Sequence, residues 1–388
     1  MNVISERMKD IPPSGTLKML AKSKELEQKG RKIIHLEVGQ PDFDTPLHIK
    51  EAAISALKDG FTKYTSSQGI PQLLTAIAED TNKDDVSITP KNVIVTPGAK
   101  HAILLAMLAT LNPGDEVLIT TPAWPTYFTS IKIAGGVDVQ IPVDAYNKSI
   151  VEKLNNGITQ KSKMILINSP SNPLGDVMDK EVLNEIYQLA VEHELMILSD
   201  EIYQKLVYNS DERAATILAI DKECERTIVI NGFSKAYSMT GWRLGYAVAS
   251  SELVKNMIRI QQNSTTCPTS FVQIAGVAAL QGSQMPVKRM VERFNERRME
   301  ITRLLNDING VRCNLPQGAF YVFPDFSELK ITSEALALEL LEEKGVATAP
   351  GTVFGKGGEY HLRLSYANSL EEIRHGATLI KEFVEDEI

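Results

Sequence analysis

Residues 227–249 read TIVINGFSKAYSMTGWRLGYAVA. Residues 227–230 and 244–249 are β-rich runs that are apolar on both faces, and the polar segment between them carries Ser234, Lys235 and Arg243. A strand with two apolar faces belongs in a sheet covered by helices on both sides. The same kind of run recurs at 93–96, 117–120, 164–168 and 195–199, with helical stretches between. This alternation predicts an α/β fold built on a mostly parallel sheet.

The helical stretches carry their own end signals. Thr45-Pro46 places a cap residue before a proline at the first helical position, and Gly60 follows Leu57, so one helix is expected between them. Residues 98–111 are apolar almost all round, as in a helix buried within a large protein, and Asn112-Pro113-Gly114 stops it. The chain ends differ from this middle. The first contains Pro12-Pro13 and an extended segment at 33–38. The last begins with a charged helix at 289–306, followed by a hairpin around Gln317-Gly318, a helix at 333–344 and an alternating strand at 361–365. These features predict a large domain over 47–289 and a smaller α+β domain made of both ends, 1–46 and 290–388.

Composition removes several classes of function. The 388 residues hold 41 Lys+Arg against 49 Asp+Glu, a net charge of −8. That balance argues against a nucleic-acid partner, which needs a basic field, so any anion site must be built locally from a few placed groups. The longest uncharged apolar run, 102–111, is half of the roughly 20 residues that a membrane span requires. Charges in MNVISERMKD stand where a signal peptide would be apolar, so a cytoplasmic location is expected. The cysteines Cys224, Cys267 and Cys313 stand far apart without a CxxC, and the nearest histidines, His35 and His48, are too distant to form a local pair, so no metal site is expected.

Ligands of open parallel sheets bind beyond the carboxyl ends of the strands. Polar clusters lie at those ends here: Thr96 to Lys100, Pro122-Ala123-Trp124, Asn168 to Pro173, Asp200 to Tyr203, and Gly232 to Lys235. Gly98-Ala99-Lys100 opens a helix after a strand, which suits a phosphate, although a plain tight turn would read the same. Ser234 and Arg243 add a hydroxyl and a charged fork suited to phosphate oxygens. Lys235 is flanked mainly by uncharged residues. A lysine desolvated near another cation becomes a nucleophilic amine able to form a Schiff base, whereas a lysine in isolation reads as a surface charge. Asp200, at the end of a buried run, faces a cation or else caps a helix. With Trp124, these groups fit pyridoxal 5'-phosphate.

The motifs GQPDFDTP (39–46), KYTSSQGIP (63–71), TPGAKHAI (96–103), NSPSNPLG (168–175), SDEIY (199–203), FSKAYSMTGWRLGY (233–246), PQGAFY (316–321) and HLRLSYA (361–367) extend over essentially the whole chain. Together they resemble the class I, fold-type I pyridoxal-phosphate aminotransferases, and within them the prokaryotic aspartate aminotransferase branch. The resemblance implies a seven-stranded central sheet and a homodimer with shared active sites. It makes Lys235 the residue that holds the cofactor as an internal aldimine and shuttles the proton at Cα. It pairs Asp200 with the pyridine nitrogen and sets Tyr203 and Asn172 on the ring's 3′-oxygen. Trp124 stacks on the ring and borders the substrate. Ala99, Lys100, Ser234 and Arg243 hold the phosphate, joined by Tyr64 from the other subunit. Arg363, with Gly39 and Asn172, receives the substrate α-carboxylate. Independently, Arg363 shares one face of its alternating strand with His361 and Ser365.

In the aspartate-specific branch a serine, a threonine and a lysine contact the distal carboxylate, and Ser14, Thr16 and Lys100 stand at the matching places. The implied reaction is ping-pong transfer from aspartate to 2-oxoglutarate. Aromatic or broad-range aminotransferases and β-C–S lyases share this scaffold. A regulator of transcription with an aminotransferase-like domain would need a basic helix-turn-helix segment first, for which the residues before Gly39 leave no room. The chain departs from the family pattern at Leu174, where threonine is frequent, and at Phe233, before the Ser-Lys pair. Neither change removes a group named above.

Overall fold

Alternate residues of each central run enter opposite cores. Val93, Val95, Ile165, Ile167, Ile197 and Val229 join one hydrophobic cluster, whereas Ile94, Met164, Leu166, Leu198, Ile228 and Ile230 join another. Side chains of a strand alternate between faces, so a run apolar at every position must have a core on each side. The computed structural model describes residues 3–11, 13, 15–84, 86–143, 149–208 and 213–387.

In chain order the strands are β1 (Ile34–His35), β2 (Val93–Thr96), β3 (Glu116–Thr121), β4 (Val137–Pro142), β5 (Ser162–Asn168), β6 (Met196–Asp200), β7 (Thr227–Gly232), β8 (Gly245–Val248), β9 (Tyr321–Val322), β10 (Val346–Ala347), β11 (Ala349–Pro350) and β12 (Leu362–Ser365). β2 to β8 form one seven-stranded sheet in the order β2-β8-β7-β6-β5-β3-β4. The strands β3 to β7 pair in parallel, and β8 runs antiparallel to both β7 and β2. The mostly parallel α/β sheet expected from the sequence is therefore present.

Helices cover both faces. Ala99–Thr110 supplies Ala102, Ile103, Leu105, Ala106 and Met107 to one core, and Lys180–Glu192 supplies Val182, Leu183, Ile186 and Leu189 to the other. The second helix is capped by Asp179, whose side chain accepts from the Val182 amide at 2.8 Å.

A third cluster gathers both chain ends. Leu26, Ile33 and Leu36 pack with Phe294, Leu305, Phe320, Leu340, Leu364 and Phe383. Parallel pairing of β1 with β10 ties the ends together, and β11, β12 and β9 form a small antiparallel sheet. Ile202, Tyr203 and Leu206, which follow β6, belong to this cluster too. The two parts of the molecule therefore meet at the C-terminal edge of the large sheet.

Two local expectations are corrected. Thr45 does not cap the helix Leu47–Lys58: its hydroxyl donates to Ser238 O at 2.6 Å and accepts from Trp242 Nε1 at 3.0 Å. Partners brought by the fold outcompete the local cap. No hairpin turns at Gln317-Gly318. Arg312 and Asp325 make a single antiparallel bridge, and the loop between them docks through the Gln317 and Gly318 amides on Gly175 O. Within the extended segment 33–38, Ile34 and His35 pair as a strand. Among the described residues no helix is long and apolar enough to cross a membrane, and no group of His, Cys, Asp or Glu is placed to hold a metal ion.

Candidate functional site

Each polar cluster beyond a strand of the large sheet contributes to one cavity of about 520 Å³. Ala99 and Lys100 come from the helix after β2, and Trp124 and Tyr127 follow β3. Asn168 and Asn172 end and follow β5, Asp200 and Tyr203 end and follow β6, and Ser234 and Lys235 follow β7. The other wall is made by the chain ends, through Leu20, Glu37, Gly39, Tyr321 and Arg363.

The amine of Lys235 donates to Gly39 O at 2.5 Å. Burial pushes its pKa down to about 7. The Arg363 guanidinium adds to the shift and the Asp200 carboxylate opposes it. Asp200 is 1% exposed and accepts from the Tyr127 hydroxyl at 2.7 Å and the Ile202 amide at 3.1 Å. Burial pushes its carboxyl up to about 6 against these two hydrogen bonds and the nearby Lys235. Asn168 fixes the geometry between strands. Its Nδ2 donates to Asp200 O and its Oδ1 accepts from the Asn172 amide, each at 2.8 Å.

Asn172 in turn accepts from Arg363 Nη1 at 3.1 Å, while Arg363 Nη2 donates to Glu37 O. Arg363 is 4% exposed, and its guanidinium lies 4.5 Å from the Tyr321 ring centre and 5.0 Å from that of Phe354. Its Nε is buried without a hydrogen-bond partner. Among the described residues Arg363 makes hydrogen bonds only to these neutral oxygens and has no carboxylate partner. Glu37 lines the same cavity, but one of its carboxylate oxygens lies 2.8 Å from His35 Nδ1, and the pair helps raise His35 to about 9. A buried cation without a counter-charge is costly, and this corner therefore suits a carboxylate.

At the opposite end, Gly98 starts the helix with φ +87° and no side-chain cap. A Cβ there would collide with the Arg243 guanidinium, whose Nη1 donates to Thr240 O at 2.9 Å. Bare helix-start amides, the Ser234 hydroxyl and Arg243 thus converge, a donor set suited to a phosphate. Trp124 stands edge-on to Tyr127 with ring centres 5.5 Å apart, and Lys100 Nζ lies 4.9 Å from the Trp124 ring centre. Desolvation and the neighbouring Arg243 lower the Lys100 pKa. Lys100, Arg243 and Arg363, joined by Lys235 when it is protonated, outnumber the carboxylates Glu37 and Asp200 in this cavity of an otherwise acidic protein.

The structure brings together Gly39, Ala99, Lys100, Trp124, Asn172, Asp200, Tyr203, Ser234, Lys235, Arg243 and Arg363. Tyr64 is 87% exposed and does not line the cavity of its own chain. Ser14 lies outside the described residues. Thr16 falls in the helix Gly15–Gln28, and its side chain is likewise outside the described set; Leu20 of that helix reaches the cavity. Sequence reading gave no role to Asn168, Tyr127, Glu37 or Tyr321. The first and last lie inside quoted motifs and Tyr127 stands three residues after Trp124, but the partners of Asn168 and Tyr127 are visible only in the fold.

Residues 31–380 match the family model described as aminotransferase class I and II. An aspartate aminotransferase of Bacillus subtilis is 40% identical over 98% of this chain and 99% of its own length. Among solved structures, the aspartate aminotransferase of Thermus thermophilus with maleate superposes with a TM-score of 0.93 at 38% identity, covering 98% of this chain and 100% of that one. An aromatic aminotransferase of Pyrococcus horikoshii follows at 0.88 and 38%, covering 95% and 99%. A convergent site on a mostly parallel seven-stranded sheet, and a match along nearly the whole length, place this chain in the class I and II aminotransferase family, and it is a transaminase.

Proposed function

We propose that this transaminase holds pyridoxal 5'-phosphate on Lys235 and transfers the amino group of L-aspartate to 2-oxoglutarate. The observation that carries the reading is the grouping, in one cavity, of a depressed lysine amine, a buried carboxylate and a buried arginine without a counter-charge. The residues fit the cofactor. The helix-start amides of Ala99 and Lys100, Ser234 and Arg243 would take its phosphate, Asp200 its ring nitrogen, Tyr203 and Asn172 its ring oxygen, and Trp124 its face. When bound, the cofactor supplies a carbonyl for the amine and a ring that accepts the electrons left when the Cα proton departs.

Lys235, freed of its charge near neutrality, carries that proton. Arg363 and Asn172 hold the α-carboxylate, with the Gly39 backbone beside them. Both substrates present the same α-carboxylate to one Arg363, so they must occupy the site in turn, which is a ping-pong scheme. Lys100 lies in the cavity as a second cation for a distal carboxylate and supports a dicarboxylic donor. The Thermus relative with maleate points the same way. The exposure of Tyr64 supports a homodimer in which this residue completes the partner's phosphate site. We read 1–46 and 290–388 as a small domain that closes over 47–289 and excludes water.

Amino donors assayed against 2-oxoglutarate test the specificity. Aspartate should give the highest kcat/KM in a panel with alanine, phenylalanine and N-acetylated diamino acids, with parallel double-reciprocal lines. Phenylalanine ahead of aspartate would instead select the aromatic reading that the Pyrococcus relative offers. Arg363→Lys keeps the charge but not the fork. It is expected to lower kcat/KM by about 10- to 150-fold, from about 1.5–3 kcal/mol for one charge-assisted hydrogen bond. Unchanged kinetics would remove Arg363 from the carboxylate site.

A further inference from the structure

Tyr321 is 1% exposed and begins β9. Its ring lies beneath the Arg363 guanidinium at 4.5 Å, and its hydroxyl is 2.9 Å from the Tyr203 hydroxyl, with the two rings edge-on at 5.8 Å. Gly39 allows this approach, because a Cβ there would collide with the Tyr321 oxygen. β9 pairs with β12 so that Tyr321 stands opposite Ser365, on the strand of Arg363, whereas Tyr203 follows β6 of the large sheet. One phenol therefore bridges the strand pair that carries the carboxylate-binding cation and the loop that faces the cofactor pocket.

Each phenol has a single proton to give. Tyr203 Oη is the hydrogen-bond partner that the buried Tyr321 hydroxyl has among the described residues. If Tyr321 donates, the proton of Tyr203 remains free for a ligand oxygen. A hydroxyl that accepts a hydrogen bond is polarised into a better donor, by about 10–30% per bond.

We propose that Tyr321 is a positioning residue: its hydroxyl donates to Tyr203 and strengthens Tyr203 as a donor to the cofactor's ring oxygen, while its ring seats Arg363 for the substrate carboxylate. The inference rests on the reading that pyridoxal phosphate occupies the cavity. It links the two halves of the site through one side chain, and it separates the two contributions by chemistry: the hydroxyl acts on the cofactor, the ring on the carboxylate.

Tyr321→Phe removes the hydroxyl and keeps the ring. In protein loaded with pyridoxal phosphate, the pH midpoint of the lysine-bound cofactor's absorbance should rise by about half to one pH unit, the equivalent of one net hydrogen bond. KM for aspartate should stay unchanged. Tyr321→Leu should raise both the midpoint and KM. In a Tyr203→Phe background, Tyr321→Phe should shift the midpoint no further, because its route runs through the Tyr203 hydroxyl. An unmoved midpoint in Tyr321→Phe, an equal further shift in the Tyr203→Phe background, or an unchanged KM in Tyr321→Leu would overturn the proposal. A wild-type protein that shows no pH-dependent band with pyridoxal phosphate would overturn the cofactor reading itself, a failure distinct from the others.

Discussion

Lys235→Ala is expected to lower turnover by at least about 10⁴-fold, the upper end of what a placed proton carrier contributes, because in the proposed reaction the same amine would also hold the cofactor. Circular dichroism should be unchanged, since the substitution removes an amine whose charge is disfavoured by burial. The pH dependence has a defined sign. Lysine attacks a carbonyl only as the neutral amine, and burial lowers its pKa to about 7 from 10.5. Capture of pyridoxal phosphate by the cofactor-free protein, followed by stopped-flow absorbance, should therefore accelerate up to about pH 7 and level off above it. A rate that still climbs steeply well above that point would mean that the amine keeps an ordinary lysine pKa. Full turnover in Lys235→Ala would remove Lys235 from the chemistry.

The sheet was legible because its strands are buried on both faces, so that Val93 to Thr96 or Met164 to Asn168 read as unbroken apolar runs whatever else surrounds them. Asp200, Ser234, Lys235 and Arg243 were legible because they cluster at the ends of buried runs inside the quoted motifs, whereas a lone lysine or aspartate there would read as a surface charge or a helix cap. Tyr127 was not, since its hydroxyl bonds an aspartate 73 positions away and the residue itself reads as a core aromatic. Asn168 acts through backbone groups of a neighbouring strand, which only the register of β5 on β6 reveals. The pairing of His35 with Glu37 could have been found, because residues two apart in extended chain share a face. Thr45 misled for the opposite reason. Its local pattern is a good cap, and a tertiary partner decided otherwise.

The positive cavity and the acidic surface are compatible because the cations are placed by separate parts of the chain and meet only in the folded state. Arg363 arrives on β12, Lys100 on the helix after β2, and Arg243 just before β8 with φ 55°. The net charge of the chain therefore says little about the field its ligand meets.

Asp200→Asn should lower kcat/KM by about 30- to 5,000-fold, from about 2–5 kcal/mol for breaking a buried, hydrogen-bonded charge pair. The carboxyl is pushed up to about 6 by burial, and a cationic ring nitrogen facing it would draw it back down and keep it ionised. Asparagine preserves the volume and can still accept from Tyr127, but it carries no charge with which to hold a protonated ring. Its amide also turns a donor toward the Ile202 N–H, where Asp200 accepts at 3.1 Å. Tyr127→Phe provides the control: it removes the 2.7 Å hydrogen bond and leaves the carboxylate. That change should raise the Asp200 pKa further, because the lost bond lowers it, and should cost activity mainly at the acidic end of the profile. If the charge of Asp200 is what matters, Asp200→Asn is impaired across the whole pH range, whereas Tyr127→Phe recovers as pH rises. Equal losses with the same pH profile in both variants would reduce Asp200 to a structural partner of Tyr127.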